Sequence, residues 1–193
     1  MVVTLKPDFE INDQSCRDST GKTLGEWFAW IESECGGQGR RDTVQAIYNA
    51  TGRGPNMWWP TTLWVEYEAH KGIVKKDGTA EGYTICSTKT IGASVGDLYH
   101  AMVGAASEGE PYSDDGGNSG MWLRLRPGKD LRLSWQTAGV DTPTLVDCTF
   151  VDKGKGKTLV TLTHSKIQTR AEADGLRNAW ADFFDRLKAQ AEG

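Results

Sequence analysis

The chain has 193 residues, with 22 basic and 26 acidic side chains and a formal net charge of −4. This length suits one domain with an additional segment, or two small domains. A mildly acidic chain lacks the basic surface that nucleic-acid binding requires, so we expect no nucleic-acid partner. No apolar run approaches the roughly 20 residues that span a bilayer, and the amino-terminal residues lack the features of a signal peptide. We therefore expect no membrane partner and a cytoplasmic protein.

The spacing of cysteine and histidine gives no sign of disulfides or of a metal site. The four cysteines are scattered without a CxxC pair, which predicts free thiols in a reducing compartment: Cys16, Cys35, Cys86 and Cys148. The three histidines are far apart and have no cysteine close by in sequence: His70, His100 and His164. Tetrahedral metal sites draw on closely spaced ligands, so we predict neither a metal nor another cofactor.

The amino-terminal third predicts helices rather than strands. Residues 1–19 show no regular period, and we expect an N-terminal extension there. Residues 20–76 predict a small helical domain, because apolar and aromatic side chains recur at helical spacing. The charged, glycine-rich segment 72–82 is the best candidate for a linker to the rest of the chain.

Three helices are predicted inside this domain. The first begins after Thr23, with Glu26 three residues on to complete a capping box. The second begins near Asp42, with Gln45 in the corresponding position. The third covers residues 58–71, with a proline in its first turn, where proline is tolerated.

The sequence pattern of residues 82–193 predicts an antiparallel sheet. A strand at Tyr83–Ile91 is followed by a helix that Ser94 caps and that ends near Val103. Four further segments alternate apolar and polar side chains with a period of two, which is typical of a sheet with one wet face. These segments are Met121–Arg126, Asp130–Gln136, Thr144–Val151 and Lys157–His164.

One long amphipathic helix follows, from about Arg170 to Gln190. Thr169 and Glu172 are spaced for a capping box at its start, while Arg186 is expected to face water. Its apolar stripe can cover the inner face of the sheet: Leu176, Ala179, Trp180, Phe183, Phe184 and Leu187. The predicted fold class is therefore α+β, a curved antiparallel sheet gripping a long C-terminal helix, preceded by a small three-helix segment.

A curved sheet under a helix can enclose a cavity, and eight side chains are candidates for its lining. Small-molecule pockets are mostly apolar and aromatic with a few polar groups. The candidates are Tyr99, Met102, Trp122, Trp135, Phe150, His164, Trp180 and Phe184. A filled core is the alternative for each of them. The long aperiodic segment 104–119 is either a plain surface loop or a lid over the pocket.

The string Gly92–Gly96 matches the G-x-S-x-G pattern of a nucleophile elbow, with Ser94 as the nucleophile. Such an elbow belongs to a parallel sheet built from strand–helix units. Hairpins dominate the predicted sheet here, and Ser94 also suits the cap of the following helix. The pattern therefore favours a helix cap over a hydrolase.

The order of these elements resembles the START-like (SRPBCC, helix-grip) superfamily, and in particular homologues of the heat-shock-chaperone ATPase activator. The residues that carry the resemblance are Ser87–Ile91, Leu131–Trp135, Val160–His164 and the final helix through Trp180 and Leu187. Residues 20–72 resemble a helical domain of unknown function that sometimes precedes this fold in actinobacterial-type proteins. The resemblance carries no catalytic residue to this chain.

The resemblance implies non-catalytic binding of a small hydrophobic or aromatic, polyketide-like ligand between the sheet and the helix. A first alternative is a self-resistance protein that sequesters a reactive antibiotic such as an enediyne and is cleaved at a glycine. Candidate cleavage sites are Gly139, Gly116, Gly117 and Gly120, although turn geometry alone explains glycine at such positions.

Two further alternatives remain. One is a chaperone-linked interaction module whose partner docks on the N-terminal helices, with Trp58, Trp59 and Trp64 at the surface. The other is a polyketide cyclase-like enzyme, which needs an acid or base beside its substrate. The sequence offers no compelling acid–base pair, so binding without catalysis is favoured.

Overall fold

The computed structural model describes residues 1–52, 57–73 and 81–193. The chain divides into two compact units, one of Met1–Asp8 with Glu81–Gly193 and one of Phe9–Ala80. Most of the predicted linker at 72–82, including the predicted boundary at residue 76, lies outside the described residues.

The helical unit contains four helices in its described part: α1 Asp13–Thr20, α2 Leu24–Cys35, α3 Arg40–Ala50 and α4 Trp58–His70. They surround a small core made by Cys16, Trp27, Ile31, Cys35, Ile47 and Leu63. The predicted capping box at Thr23 and Glu26 is present at the start of α2. The one predicted at Asp42 and Gln45 is wrong, because α3 begins at Arg40 after Gly39, which offers no side-chain cap.

The structure differs from the extension predicted over residues 1–19. Asn12 and Ser15 form a capping box for α1, a polar helix that buries only Cys16. One buried position in eight residues leaves no apolar period to detect. The first eight residues belong to the sheet unit instead.

The sheet unit contains β1 Tyr83–Ile91, α5 Val95–Val103, β2 Pro111–Ser113, β3 Ser119–Arg126, β4 Asp130–Gln136, β5 Thr144–Asp152, β6 Thr158–Ile167 and α6 Arg170–Glu192. The six strands form one curved, open sheet in the order β1-β6-β5-β4-β3-β2, and every neighbouring pair is antiparallel. This architecture confirms the predicted fold class.

Segment 104–119 is not a loop throughout, because it contains β2. This strand has only three residues and pairs with β3 at the edge of the sheet. Pro111 opens it, a position where a missing backbone N–H is tolerated. So short a strand has no period of its own, and pairing with β3 defines it.

Helix α6 packs its apolar stripe on the sheet, where Leu176 and Phe184 are almost fully buried. Burial of each such side chain stabilises the fold by about 1.5–3 kcal/mol. Thr169 caps the helix by accepting a hydrogen bond from the Glu172 backbone. The other predicted bond of the capping box, from the Thr169 backbone N–H to the Glu172 side chain, is wrong. The Glu172 carboxylate accepts from the Thr137 hydroxyl at 2.7 Å instead. In the part of the chain that the structure describes, no helix combines the length and the apolar character needed to cross a bilayer.

Candidate functional site

A cavity of about 310 Å³ lies between the sheet and the C-terminal half of α6. Its floor is aliphatic and comes from the inward positions of three adjacent strands: Leu131, Leu133, Val146 and Leu162. These four positions alternate with residues that point to the outer face, so the period of two along the strands supplies the floor.

Aromatic rings form the walls of this cavity. Tyr112 of β2 meets Trp122 of β3 edge-on, with ring centroids 5.5 Å apart, and Trp180 of α6 meets Phe183 in the same way at 5.6 Å. Trp135 connects the two pairs from behind, at 5.4 Å from Tyr112 and 5.3 Å from Trp180. Edge-on and tilted packing at these distances is favourable, so the rings hold one another in place.

The mouth of the cavity lies between α5 and the last two turns of α6. Ala101, Arg186 and Gln190 line the cavity there and are themselves exposed. Met102, Leu187 and Met1 also line the cavity. An apolar interior thus meets solvent through a polar opening, as in small-molecule sites generally.

Asp114 is the acidic residue among those that line the cavity. Hydrogen-bond donors from the sheet unit surround its carboxylate. The backbone N–H groups of Gly116 and Asn118 donate to it at 2.9 and 3.1 Å. The Asn118 side chain donates to both oxygens, and the Met1 amino group lies 3.0 Å away. Burial opposes the charged form, but these hydrogen bonds prevail and lower the pKa of Asp114 below its ordinary value.

A chain of hydrogen bonds runs behind the aromatic wall. Trp180 Nε1–H donates to His164 Nδ1 at 3.0 Å, so a neutral His164 carries its proton on Nε2. That nitrogen lies 2.7 Å from the Thr144 hydroxyl, which in turn donates to the Trp135 carbonyl. Burial lowers the pKa of His164 to about 3, and the imidazole is neutral near pH 7.

The structure brings three of the eight predicted lining residues to the cavity: Met102, Trp122 and Trp180. The other five are buried beside it. Trp135 and His164 lie behind Trp180, as described above. Tyr99 packs edge-on against Phe150 at 5.6 Å, and Phe184 lies 5.7 Å from Phe183.

Several lining residues were not among the predicted ones. The four aliphatic floor residues occupy inward strand positions, which the alternation of apolar and polar side chains was sufficient to find. Tyr112 had no such sign, because it lies in the short edge strand β2. Arg186 was assigned to the water-facing side of α6, and it is exposed while also lining the cavity mouth.

The four candidate cleavage glycines are not among the residues that line the cavity. Gly117 and Gly139 have positive φ angles of 80° and 78°, which glycine adopts without steric cost. A Cβ at Gly116 or Gly120 would lie 1.8 Å from a carbonyl oxygen, that of Met1 or of Ser134. Backbone geometry therefore accounts for glycine at all four positions.

Ser94 acts as a helix cap in the structure. Its hydroxyl accepts from the Asp97 backbone N–H at 3.2 Å and donates to the Asp97 carboxylate at 2.6 Å. These are the hydrogen bonds of an N-cap rather than those of a nucleophile with a histidine base. Across residues 1–52, 57–73 and 81–193, no group of three or more His, Cys, Asp or Glu side chains is placed to hold a metal ion.

A curved antiparallel sheet that grips a long C-terminal helix over an apolar cavity defines a START-like, helix-grip protein. The family described as "Activator of Hsp90 ATPase homolog 1-like protein" matches residues 86–192, and the chain belongs to that family. A comparison with curated proteins gives no match.

Solved structures resemble this chain over about half of its length. The Aha1 dimer from Colwellia psychrerythraea is 20% identical with a TM-score of 0.49, covering 57% of this chain and 96% of that one. CalU16 from Micromonospora echinospora is 22% identical with a TM-score of 0.48, covering 54% of this chain and 71% of that one. An HSP90 activator from Plasmodium falciparum is 16% identical with a TM-score of 0.42, covering 45% and 74%.

Proposed function

We propose that this protein binds a small hydrophobic or aromatic molecule in the cavity between the sheet and α6, without catalysing a reaction on it. The observation that carries the proposal is the aromatic-walled cavity of about 310 Å³. Ligand pockets span about 300–1,000 Å³ and are lined mainly by apolar and aromatic groups. A compact ligand of two or three rings suits this size.

The polar groups near the cavity favour binding over catalysis. His164 has both ring nitrogens engaged, by Trp180 and Thr144, and its pKa of about 3 keeps it from accepting a proton near neutrality. Asp114 is held by several donors. A general acid or base needs a pKa near the working pH and access to the substrate, and neither group has both.

Blocking the mouth of the cavity tests the proposal. Ala101 is exposed and lines the mouth, so Ala101→Trp places a large ring across the opening without overpacking the core. We expect the neutral fluorescent probe N-phenyl-1-naphthylamine to bind the unmodified protein saturably. The Ala101→Trp variant should bind it at least about tenfold more weakly, a loss of about 1.4 kcal/mol. Fluorescence titration measures both affinities.

Ala181→Trp is the matched control, because Ala181 is also exposed on a helix but lies outside the cavity lining. This variant should bind the probe as the unmodified protein does. Absence of saturable binding to the unmodified protein, or equal binding to the Ala101→Trp variant, contradicts the proposal.

The family name favours a second candidate, a chaperone-linked interaction. We predicted the N-terminal helices as its docking surface. Trp58, Trp59 and Trp64 are half-buried, and Phe9 packs on Trp58 with ring centroids 5.4 Å apart. Calorimetric titration with a purified Hsp90-type chaperone tests this candidate, and absence of binding heat counts against it. The self-resistance role, the cyclase activity and the cytoplasmic location stay predictions.

A further inference from the structure

The two charged side chains that line the cavity differ in how well the described part of the protein neutralises them. Of the described residues that line the cavity, two carry charged side chains, Asp114 and Arg186. Asp114 already receives hydrogen bonds from Gly116, from Asn118 and from the Tyr112 hydroxyl, so its charge is satisfied within the protein.

Among residues 1–52, 57–73 and 81–193, Arg186 has no comparable partner. Asp115 and Asp182 share with it the lining of an adjoining depression, yet neither forms an ion pair with it within the described ranges. The guanidinium is always protonated near neutrality and presents several donors in a fork that matches carboxylates and similar anions. An exposed arginine at the rim of an apolar cavity is thus an available site for a negative charge.

Gln190 adds a second polar group on the same side. It lies four residues after Arg186 on α6 and also lines the mouth. Residues four apart on a helix are neighbours on one face. Its side-chain amide is therefore placed to donate to an anion beside Arg186, and Trp180 and Phe183, on the preceding turns of the helix, line the cavity.

We infer that the ligand is an amphipathic anion, with an aromatic or apolar body in the cavity and a carboxylate, sulfonate or phenolate group at Arg186 and Gln190. This inference rests on the proposed function and names the chemical class of its ligand. The aliphatic floor and aromatic walls take the body, and the mouth is the part of the cavity where a charge keeps contact with water.

Two probes that share one skeleton test the inference. 1-Anilinonaphthalene-8-sulfonate is anionic, and N-phenyl-1-naphthylamine has the same rings without the sulfonate. In Arg186→Gln we expect the sulfonate to bind about three- to tenfold more weakly, as for loss of a partly exposed charge-assisted hydrogen bond. The neutral probe should keep its affinity, and added salt should weaken only the sulfonate.

Lys188→Gln is the matched control. It removes the same charge from the same helix, but Lys188 pairs with Glu192 and does not line the cavity. Both probes should bind this variant as they bind the unmodified protein, and thermal unfolding should show that all variants are folded.

The outcomes separate the two proposals. If the neutral probe binds but the sulfonate loses no affinity in Arg186→Gln, the anionic class is overturned and the cavity site stands. An equal loss for both probes, or an equal loss in Lys188→Gln, also overturns it, because the effect then comes from packing or from overall charge. Failure of both probes to bind the unmodified protein removes the proposed function itself.

Discussion

His164 lies at the centre of a hydrogen-bonded chain that joins three elements of the sheet unit. It sits on β6, accepts from Trp180 of α6 and contacts Thr144 of β5. The side chain has no exposed surface. Removing one partner of a buried hydrogen bond leaves the other unsatisfied, at a cost of about 1–3 kcal/mol. The residue therefore affects the cavity indirectly, by fixing the position of Trp180.

The neutrality of His164 predicts how stability depends on pH. Its pKa is about 3 in the folded protein, against an ordinary value of 6.5. Between these two pH values His164 binds a proton in the unfolded chain but not in the folded chain. The contribution of His164 to the free energy of unfolding therefore falls as the pH falls. From pH 7 to pH 5 that loss is about 2 kcal/mol.

Replacing His164 with glutamine should remove this dependence. We expect His164→Gln to be less stable than the unmodified protein at pH 7, and the difference to shrink as the pH falls to 5. Urea unfolding followed by tryptophan fluorescence at pH 7, 6 and 5 measures it. The control is His100→Gln, at an exposed position on α5. Its free energy of unfolding should differ from that of the unmodified protein by the same amount at each pH. A constant difference for His164→Gln across this range contradicts the prediction.

At the scale of elements, local patterns predicted those with a strong apolar period. The bounds of β1, β4 and α5 agree with the sequence prediction, because alternation and the Ser94 cap are properties of the segment itself. Helix α1 and strand β2 were missed because their stability comes from elsewhere. Helix α1 is polar with one buried side chain, and β2 exists through its pairing with β3.

The same distinction separates the cavity lining that could be predicted from the part that could not. Trp180 lies on the apolar stripe of α6, so its inward direction follows from the sequence. On β3 the alternation groups Trp122 with Arg124 and Arg126, yet Trp122 is buried while Met121 and Leu123 are exposed. Trp135 also points inward but fills the space behind Trp180. Which inward ring borders a void depends on the packing of all its neighbours. Tyr112 and Arg186 reach the cavity through tertiary placement, which no local period records.

At the scale of the whole molecule, the first eight residues join a unit whose remainder begins at Glu81. The Asp8 backbone donates to Asp174 of α6 at 3.1 Å, and Asn178 of α6 donates to the Asp8 side chain at 3.1 Å. At the other end of the segment, the Asn118 side chain donates to the Met1 carbonyl at 2.6 Å. The segment thus ties α6 to the turn before β3, and Met1 adds to the cavity lining.

Gly175 is the residue of α6 that permits this approach. A Cβ there would lie 2.2 Å from the Thr4 carbonyl oxygen and 3.2 Å from Val3 Cγ1, so Gly175→Ala must displace the segment. We expect a net loss of about 1–3 kcal/mol in stability, as for other overpacked sites, even though alanine is the better helix former by about 1 kcal/mol. Urea unfolding measures the loss.

Hydrogen exchange distinguishes displacement of the segment from a general weakening of the protein. In Gly175→Ala, amides of the first half of α6 and of residues 114–118 should exchange faster, whereas those of α2 and α3 should not change, because exchange reports local opening. Gly96→Ala is the control: its nearest contact is 3.8 Å away, so the gain in helix propensity should leave it as stable as the unmodified protein or slightly more stable. If Gly175→Ala matches Gly96→Ala in stability and in hydrogen exchange, contact with the amino-terminal segment does not stabilise α6. The wall of the cavity then forms without that segment.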